Sequence, residues 1–189
     1  MDKKILGVLV CVIFGMFGFC YYAGAESVKE YDTEAKVQEA EVIEDVEQFS
    51  GISKKELKEI MGKPASKETW ISKTEKGDFK LTSFLYDKKS NHYEFVIADG
   101  KVVRLTIYSD NYWNGKGDRF KIGDGIESTY KSYGITLGGN VKEKANTTYA
   151  YVLAAVNDKV DKFHILDINS ETNTYGMVKI TYNLDYFES

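Results

Sequence analysis

The chain has 189 residues, of which 29% are charged and 14% aromatic, and its formal net charge is −4 at pH 7. This length suffices for one domain of ordinary size or for two small units that share a core. The two cysteines, Cys11 and Cys20, both lie in the N-terminal apolar segment. Disulfides, thiol nucleophiles and cysteine metal sites are therefore excluded from the rest of the chain.

Residues 1–25 are predicted to be a secretory signal peptide or a signal anchor. Lys3 and Lys4 precede an uncharged run, residues 5–25, which ends in Ala23-Gly24-Ala25 before Glu26. A basic start, an apolar middle and a small-x-small ending are typical of a signal peptide cleaved before Glu26. The run also has about the 20 residues that a membrane-spanning helix needs, so an uncleaved anchor is the alternative.

Either reading predicts an extracytoplasmic protein, secreted or anchored to the outer face of the cytoplasmic membrane. Lysines before the run and acids after it place the N-terminus in the cytoplasm. A lipoprotein with Cys20 lipidated is a third and weaker reading, because Phe17-Gly18-Phe19 is a poor small-residue box. Contact with the membrane is expected only through this segment.

Residues 26–50 are predicted to be an acidic spacer. They contain nine acids and two lysines, with neither Gly nor Pro, and such a density of like charge favours a solvated tether. The alternative is a docked helix, since four apolar residues keep a helical spacing: Val37, Ala40, Ile43 and Val46. Residues 51–189 then carry a net charge of +2, so nucleic acid is not an expected partner.

Residues 52–64 predict a short helix with well-marked ends. Ser53 and Glu56 have the spacing of a capping box. Gly62 supplies a left-handed residue after the helix, and Pro64, the one proline of the chain, prevents its continuation. The buried side is expected to be an apolar stripe of Leu57, Ile60 and Met61.

Two stretches further along repeat one pattern 58 residues apart. Residues 93–109 (YEFVIADGKVVRLTIYS) align without a gap on residues 151–167 (YVLAAVNDKVDKFHILD). Each is an apolar run, a polar turn and a second apolar run, which predicts a β-hairpin. Strands are also expected at residues 70–71 and 79–86, with a turn at 76–78.

The apolar faces predict the register of both hairpins. A three-residue loop, Asp99-Gly100-Lys101, puts the apolar residues on one face, in the pairs Tyr93 with Ile107, Phe95 with Leu105 and Ile97 with Val103. A similar loop at residues 157–159 pairs Leu153 with Phe163 and Tyr151 with Ile165. The other face of the first hairpin is expected to meet solvent or a partner with Glu94, Arg104, Thr106 and Tyr108.

The remaining stretches complete an α+β fold of two tandem helix-plus-antiparallel-sheet units, residues 51–110 and 119–189. Residues 110–118 are predicted to be a loop, and residues 122–134 a second helix that buries Ile126, Tyr130 and Tyr133. Residues 135–148 hold a strand with loops, and residues 176–184 form the last strand. The two units are expected to share one continuous curved sheet.

The order of a short helix ending in Gly-x-Pro, a tryptophan and a hairpin with an Asp-Gly turn resembles an extracytoplasmic superfamily. It is similar to the β-lactamase-inhibitory-protein domains, to the SmpA/OmlA lipoproteins and to the N-terminal module of secreted CAP-domain proteins. Residues carrying the likeness are Ser53, Leu57, Gly62, Pro64, Trp70 and residues 93–108, with Gly134 and residues 151–166 in the second unit. The second unit lacks the proline. The resemblance implies binding of a protein through the exposed face of a curved sheet.

Sequence motifs for catalysis, metals and cofactors are weak. His92 and His164 fall in different predicted units and are expected to be surface strand residues. Residues 110–121 resemble a calcium loop at three positions, but Tyr112 and Lys121 stand where oxygen ligands are needed. The stretch NGKGD lacks Walker spacing. Carboxylate pairs such as Asp158 with Asp161, or Glu56 with Glu59, are expected to be solvated.

We therefore expect no enzyme, no catalytic residue, no metal and no cofactor. Candidate partner contacts are Tyr112 and Trp113, which are hard to bury beside a glycine loop, and Tyr108, on the outer face of its strand, since aromatics dominate binding hot spots. The predicted function is a binding or scaffold domain for an unknown protein or cell-envelope component. An accessory module of a cell-wall enzyme and a small-ligand sensor are the alternatives.

Overall fold

Nine antiparallel strands form one sheet in the part of the chain that the computed structural model describes, residues 45–88, 91–115, 120–122 and 125–187. The predicted signal segment and residues 26–44 of the predicted spacer lie outside the described residues. The sheet and its few helices confirm an antiparallel α+β fold.

The elements alternate short helices with meandering strands. In chain order they are the 3-10 helix η1 (Val46–Phe49), α1 (Lys54–Met61), β1 (Ser66–Thr74), β2 (Gly77–Lys88), β3 (Asn91–Ala98), β4 (Lys101–Ser109), α2 (Asp110–Trp113), β5 (Phe120–Lys121), α3 (Ile126–Ser132), β6 (Lys142–Asn146), β7 (Ala150–Ala154), β8 (Lys162–Asn169), β9 (Thr174–Thr181) and the 3-10 helix η2 (Leu184–Tyr186).

The strand order is β1-β2-β3-β4-β9-β8-β7-β6, and β5 pairs with β9. A helix and four strands thus occur twice, and the two meanders join through β4 and β9. The two hairpins that align in sequence occupy different places, since β4 is the joining strand and β8 lies one strand away from the junction. Both nevertheless pair with the same residues of β9; Leu105 and Phe163, for example, flank Ile180. The division into two tandem units stays a prediction.

One face of the sheet, called here the covered face, carries the main hydrophobic core. Side chains from η1, α1 and α3 pack on it together with alternate residues of the strands. Val46 and Phe49 are fully buried there, and the hydroxyl of Tyr182 donates to the carbonyl of Val46 over 2.7 Å. The spacer expected to extend to residue 50 is therefore part of the fold from residue 46, because its last apolar residues fill the core.

Helix α1 has the predicted ends. The Ser53 hydroxyl accepts from the backbone N–H of Glu56, and the Glu56 carboxylate accepts from the backbone N–H of Ser53. Gly62 has φ +83°. Leu57 and Met61 are buried as expected, but Ile60 is 50% exposed, because a helix of two turns presents only its innermost side to the sheet.

The β3–β4 hairpin follows the predicted register away from its turn. Tyr93 pairs with Ile107 and Phe95 with Leu105, but Ile97 pairs with Val102 rather than with Val103. The turn holds two residues, Asp99 (φ 48°) and Gly100 (φ 78°), which suits the Asp-Gly preference for a type I′ turn. Val103 is an extra, bulged residue, so both its side chain and that of Arg104 face away from the core.

The β7–β8 hairpin also keeps its predicted pairs, Tyr151 with Ile165 and Leu153 with Phe163. Its expected three-residue loop is wrong, because the ladder ends at Ala154 and Lys162. Two backbone hydrogen bonds close the connection instead. The N–H of Ala155 donates to the carbonyl of Asp161, and the N–H of Asn157 donates to the carbonyl of Val160. Val156 and Val160 are thereby buried in the core.

The second face of the sheet, called here the open face, carries a smaller apolar cluster at one end. Its buried members are Leu81, Val96, Ala98 and Val103, with Phe79, Tyr186 and Phe187 packed against them. The chain therefore crosses to the open face after β9, and η2 covers the end of the sheet near β1. The predicted last strand, residues 176–184, therefore ends earlier than expected, at Thr181.

Candidate functional site

Trp113 lies at the other end of the open face, in the short helix α2. Residues 110–113 were expected to be a loop, but the Ser109 hydroxyl accepts from the backbone N–H of Tyr112 and caps a helical turn. The indole ring stacks on the His92 ring, with centroids 5.1 Å apart. The ring of Tyr108 meets the indole edge-on at 63°, with centroids 5.0 Å apart. It remains 46% exposed.

His92 holds this arrangement together. Its Nδ1 is 2.6 Å from Oδ1 of Asp87, and its Nε2 is 3.0 Å from Oδ1 of Asp110. Asp87 belongs to β2 and Asp110 begins α2, so the ring bridges the sheet and the helix. The side chain of His92 is only 13% exposed. The expectation of a surface residue is therefore corrected, because Trp113 covers the ring.

Tyr108 stands beside His92 on β4, since these two residues are cross-strand partners. Its hydroxyl donates to Oε2 of Glu94 over 3.2 Å. Burial, followed by the charge of Glu94, raises the pKa of Tyr108 far above its usual range. The phenol therefore stays neutral and keeps its hydrogen bond at any physiological pH.

Tyr112 does not join the stack. Its ring lies against the backbone of Gly176 in β9, where a Cβ would come within 2.5 Å of the ring carbons. Glycine at this position allows the close approach. Tyr112 thus helps to seat α2 on the sheet, while Trp113 is the more exposed of the two aromatic residues.

The open face between the two ends is polar and charged. Along one row across β3, β4, β9 and β8 lie Glu94, Thr106, Lys179 and His164. Arg104 occupies the next row, opposite Thr181. Except for Thr106, which is buried, the residues of the first row and Arg104 are all half-buried.

The structure thus brings Tyr108 and Trp113 into contact and places Tyr112 next to them on the other side of α2. Sequence reasoning missed the two carboxylates on His92. The register placed Tyr108 on the outward face, and His92 follows as its cross-strand partner. Asp87 and Asp110 required the β2–β3 pairing and the helical turn of α2, which no pattern in the sequence indicated.

This arrangement suits non-covalent recognition. The Trp113 indole is held against His92 and Tyr108, and His92 is itself held by two carboxylates. An aromatic residue fixed in this way is a pre-organised platform, and such residues contribute strongly to binding. Within the described residues no group of His, Cys, Asp or Glu could hold a metal ion. Asp110, one of the positions compared with a calcium loop, instead contacts His92 and accepts from the Asn114 amide.

An open depression of about 450 Å³ lies elsewhere, at the turns between β6 and β7 and between β8 and β9. Its walls are mostly polar residues: Thr148, Tyr149, Asp167, Ile168, Asn169, Ser170 and Glu171. Neither histidine lines it. Among the helices in the described parts of the chain, none has the length and hydropathy needed to cross a membrane.

Comparison with known proteins gives remote structural similarity. No family model matches the chain, and no curated protein matches it. A cysteine-rich secretory protein from Staphylococcus aureus subsp. aureus Mu50 aligns with TM-score 0.41 and 8% identity. An extracellular protein containing an SCP domain from Bacillus anthracis str. Ames aligns with TM-score 0.38 and 13% identity.

Each alignment covers 77% of this chain but only 48% of the other protein, so the chain spans about half the length of either. At these TM-scores and identities the alignments define neither a family nor a function.

Proposed function

We propose that this chain is an extracytoplasmic, non-enzymatic binding or scaffold domain that recognises a protein or another cell-envelope component through its open face. The observation that carries the proposal is the exposed indole of Trp113, fixed on His92 and Tyr108. A large aromatic side chain held in one orientation loses little entropy on binding. The predicted signal segment supports the location.

The resemblance to β-lactamase-inhibitory-protein and SmpA/OmlA domains implies the same mode of binding, by a sheet face. A role as an accessory module of a cell-wall enzyme would use the same surface beside a catalytic partner. A small-ligand sensor would instead require an enclosed apolar cavity between helix and sheet.

Affinity capture from cell-envelope extract tests the proposal. The immobilised protein is compared with Trp113→Ala and with Ile71→Ala, and captured components are quantified by mass spectrometry. Ile71 is the control, because it is a large apolar residue, 55% exposed, on the opposite side of the sheet at the edge strand β1. Removal of a hot-spot tryptophan is expected to weaken capture about tenfold or more, whereas Ile71→Ala should capture as the unmodified protein does.

Equal capture by the unmodified protein and by Trp113→Ala would contradict the assignment of the surface. Loss of capture by Ile71→Ala as well would also contradict it, since that result indicates non-specific adhesion through exposed apolar residues.

A further inference from the structure

Two cations meet at the middle of the open face. Arg104 on β4 pairs with Thr181, and Lys179 on β9 pairs with Thr106. The two cationic side chains are therefore diagonal neighbours on adjacent antiparallel strands, a separation that long side chains bridge easily. The bulge at Val103 directs Arg104 to this face.

Both cations are half-buried, and among the described residues neither has a hydrogen bond or an ion pair to a carboxylate. The Nε atom of Arg104 is buried without a hydrogen-bond partner there, and the guanidinium lies over the ring of Phe187, 3.3 Å from its centroid. Buried charges and buried N–H groups are ordinarily paired in native proteins. The Nε–H of Arg104 is such an exception, and Lys179 beside it has no carboxylate partner among the described residues, so this part of the open face can accommodate an anion.

Burial and neighbouring charges shift the pKa values of both cations. Burial lowers the pKa of Arg104 to about 10, with Glu94 opposing the shift. Burial and the charge of Arg104 lower the pKa of Lys179, again against Glu94. Glu94 acts on both cations, and one of its oxygens already accepts from Tyr108. A third cation, Lys162, lies opposite Thr181 on the same face.

We propose that Arg104 and Lys179 form a subsite for a carboxylate side chain of a protein partner. This inference rests on the proposed function and names the chemistry of part of that surface. The excess of cations over Glu94 on this part of the open face favours an anionic group, and in a protein partner that group is a carboxylate side chain. Arg104 and Tyr108 are four residues apart on β4, roughly 13 Å, so one polypeptide segment of the partner can reach both the subsite and Trp113.

The Nε–H of Arg104 gives a direct signal for the test, because its NMR resonance responds to an acceptor. The probe is sodium acetate, titrated against sodium chloride at constant ionic strength. A saturable shift of the Arg104 Nε–H resonance is expected. Lys179→Gln should weaken acetate binding roughly fivefold, the upper range for one partly exposed charge pair.

Lys80→Gln is the matched control, since Lys80 is exposed on β2 and lies away from the open-face cations. It should leave acetate binding unchanged. Lys179 is substituted rather than Arg104, because Arg104 packs on Phe187 and the loss of Arg104 would also disturb that contact. Equal acetate binding by Lys179→Gln and the unmodified protein would overturn the proposal.

Inorganic phosphate in a second titration separates the two kinds of anion. Tighter binding of phosphate than of acetate would overturn the carboxylate assignment, and weaker binding would support it. Failure of the acetate titration with successful capture through Trp113 would refute the subsite alone. Equal capture by Trp113→Ala would refute the proposed function, whatever the titration shows.

Discussion

Trp113 owes its position to contacts made by other residues. His92 stacks beneath it, and Asp87 and Asp110 orient that ring through both nitrogens. A neutral imidazole has one N–H and can donate to only one carboxylate, so both contacts are hydrogen bonds only when the ring carries both protons. Tyr112 holds the same helix from its other side.

Gly176→Ala is expected to disturb Trp113 through the ring of Tyr112, although none of the three candidate contact residues is itself substituted. The new Cβ would overlap the ring of Tyr112, and overpacking of this kind costs about 1–3 kcal/mol. Urea unfolding measures the stability, and the indole NMR signal of Trp113 reports the shift of α2. Gly139→Ala is the control, because a Cβ there would meet no atom within 4 Å. Unchanged stability and an unchanged indole signal in Gly176→Ala would contradict the packing described for Tyr112.

Much of the residue-scale pairing could be predicted from the sequence. Alternation of apolar residues placed Phe95 opposite Leu105, because a one-residue slip would have buried Arg104. Alternation alone could not show how the turn is made. Asp99-Gly100 favours a two-residue turn, apolar parity favours three residues, and the protein satisfies both by inserting Val103 as a bulge.

Among the elements, α1 has the clearest local signals, and the capping box forms as predicted. The hydrogen bonds from Ser53 lower the pKa of Glu56. A depressed carboxylate pKa means that the contribution of Glu56 is present above its unfolded-state value and is lost as the pH falls through its folded-state value.

Ser53→Ala removes the hydroxyl that accepts from Glu56 and should destabilise the protein by about 1 kcal/mol. Urea unfolding at neutral pH measures the loss. Ser66→Ala, at the exposed start of β1, should change the stability by less than about 0.5 kcal/mol. Equal stability of Ser53→Ala and the unmodified protein would show that the cap contributes nothing.

Elements without local sequence signals could not be predicted. The helical turn α2 depends on the Ser109 cap and on packing against β3 and β9, and the sequence around it is rich in loop-forming residues. Helix η1 was assigned to the acidic spacer because charge dominates that stretch. Only the core shows that Val46 and Phe49 are needed to fill it.

At the scale of the whole molecule, the sheet is assembled from two meanders joined at β4 and β9. This junction links residues 69 to 77 positions apart, and no local pattern specifies it. The two hairpin sequences are similar because β4 and β8 flank β9 at the same positions and pack against the same core. Helices η1, α1 and α3 lie on the covered face, which leaves the open face to carry Trp113, Arg104 and Lys179.

Hydroxyl-radical footprinting of the protein in complex with its captured partner tests the central claim, that the open face is the binding surface. Tyr108 and Trp113 should be oxidised several-fold more slowly in the complex, because contact excludes water from them. Ile60, exposed on α1 beside the covered face, should be oxidised at the same rate with and without the partner. Protection of Ile60 with unchanged oxidation of Trp113 would contradict the account.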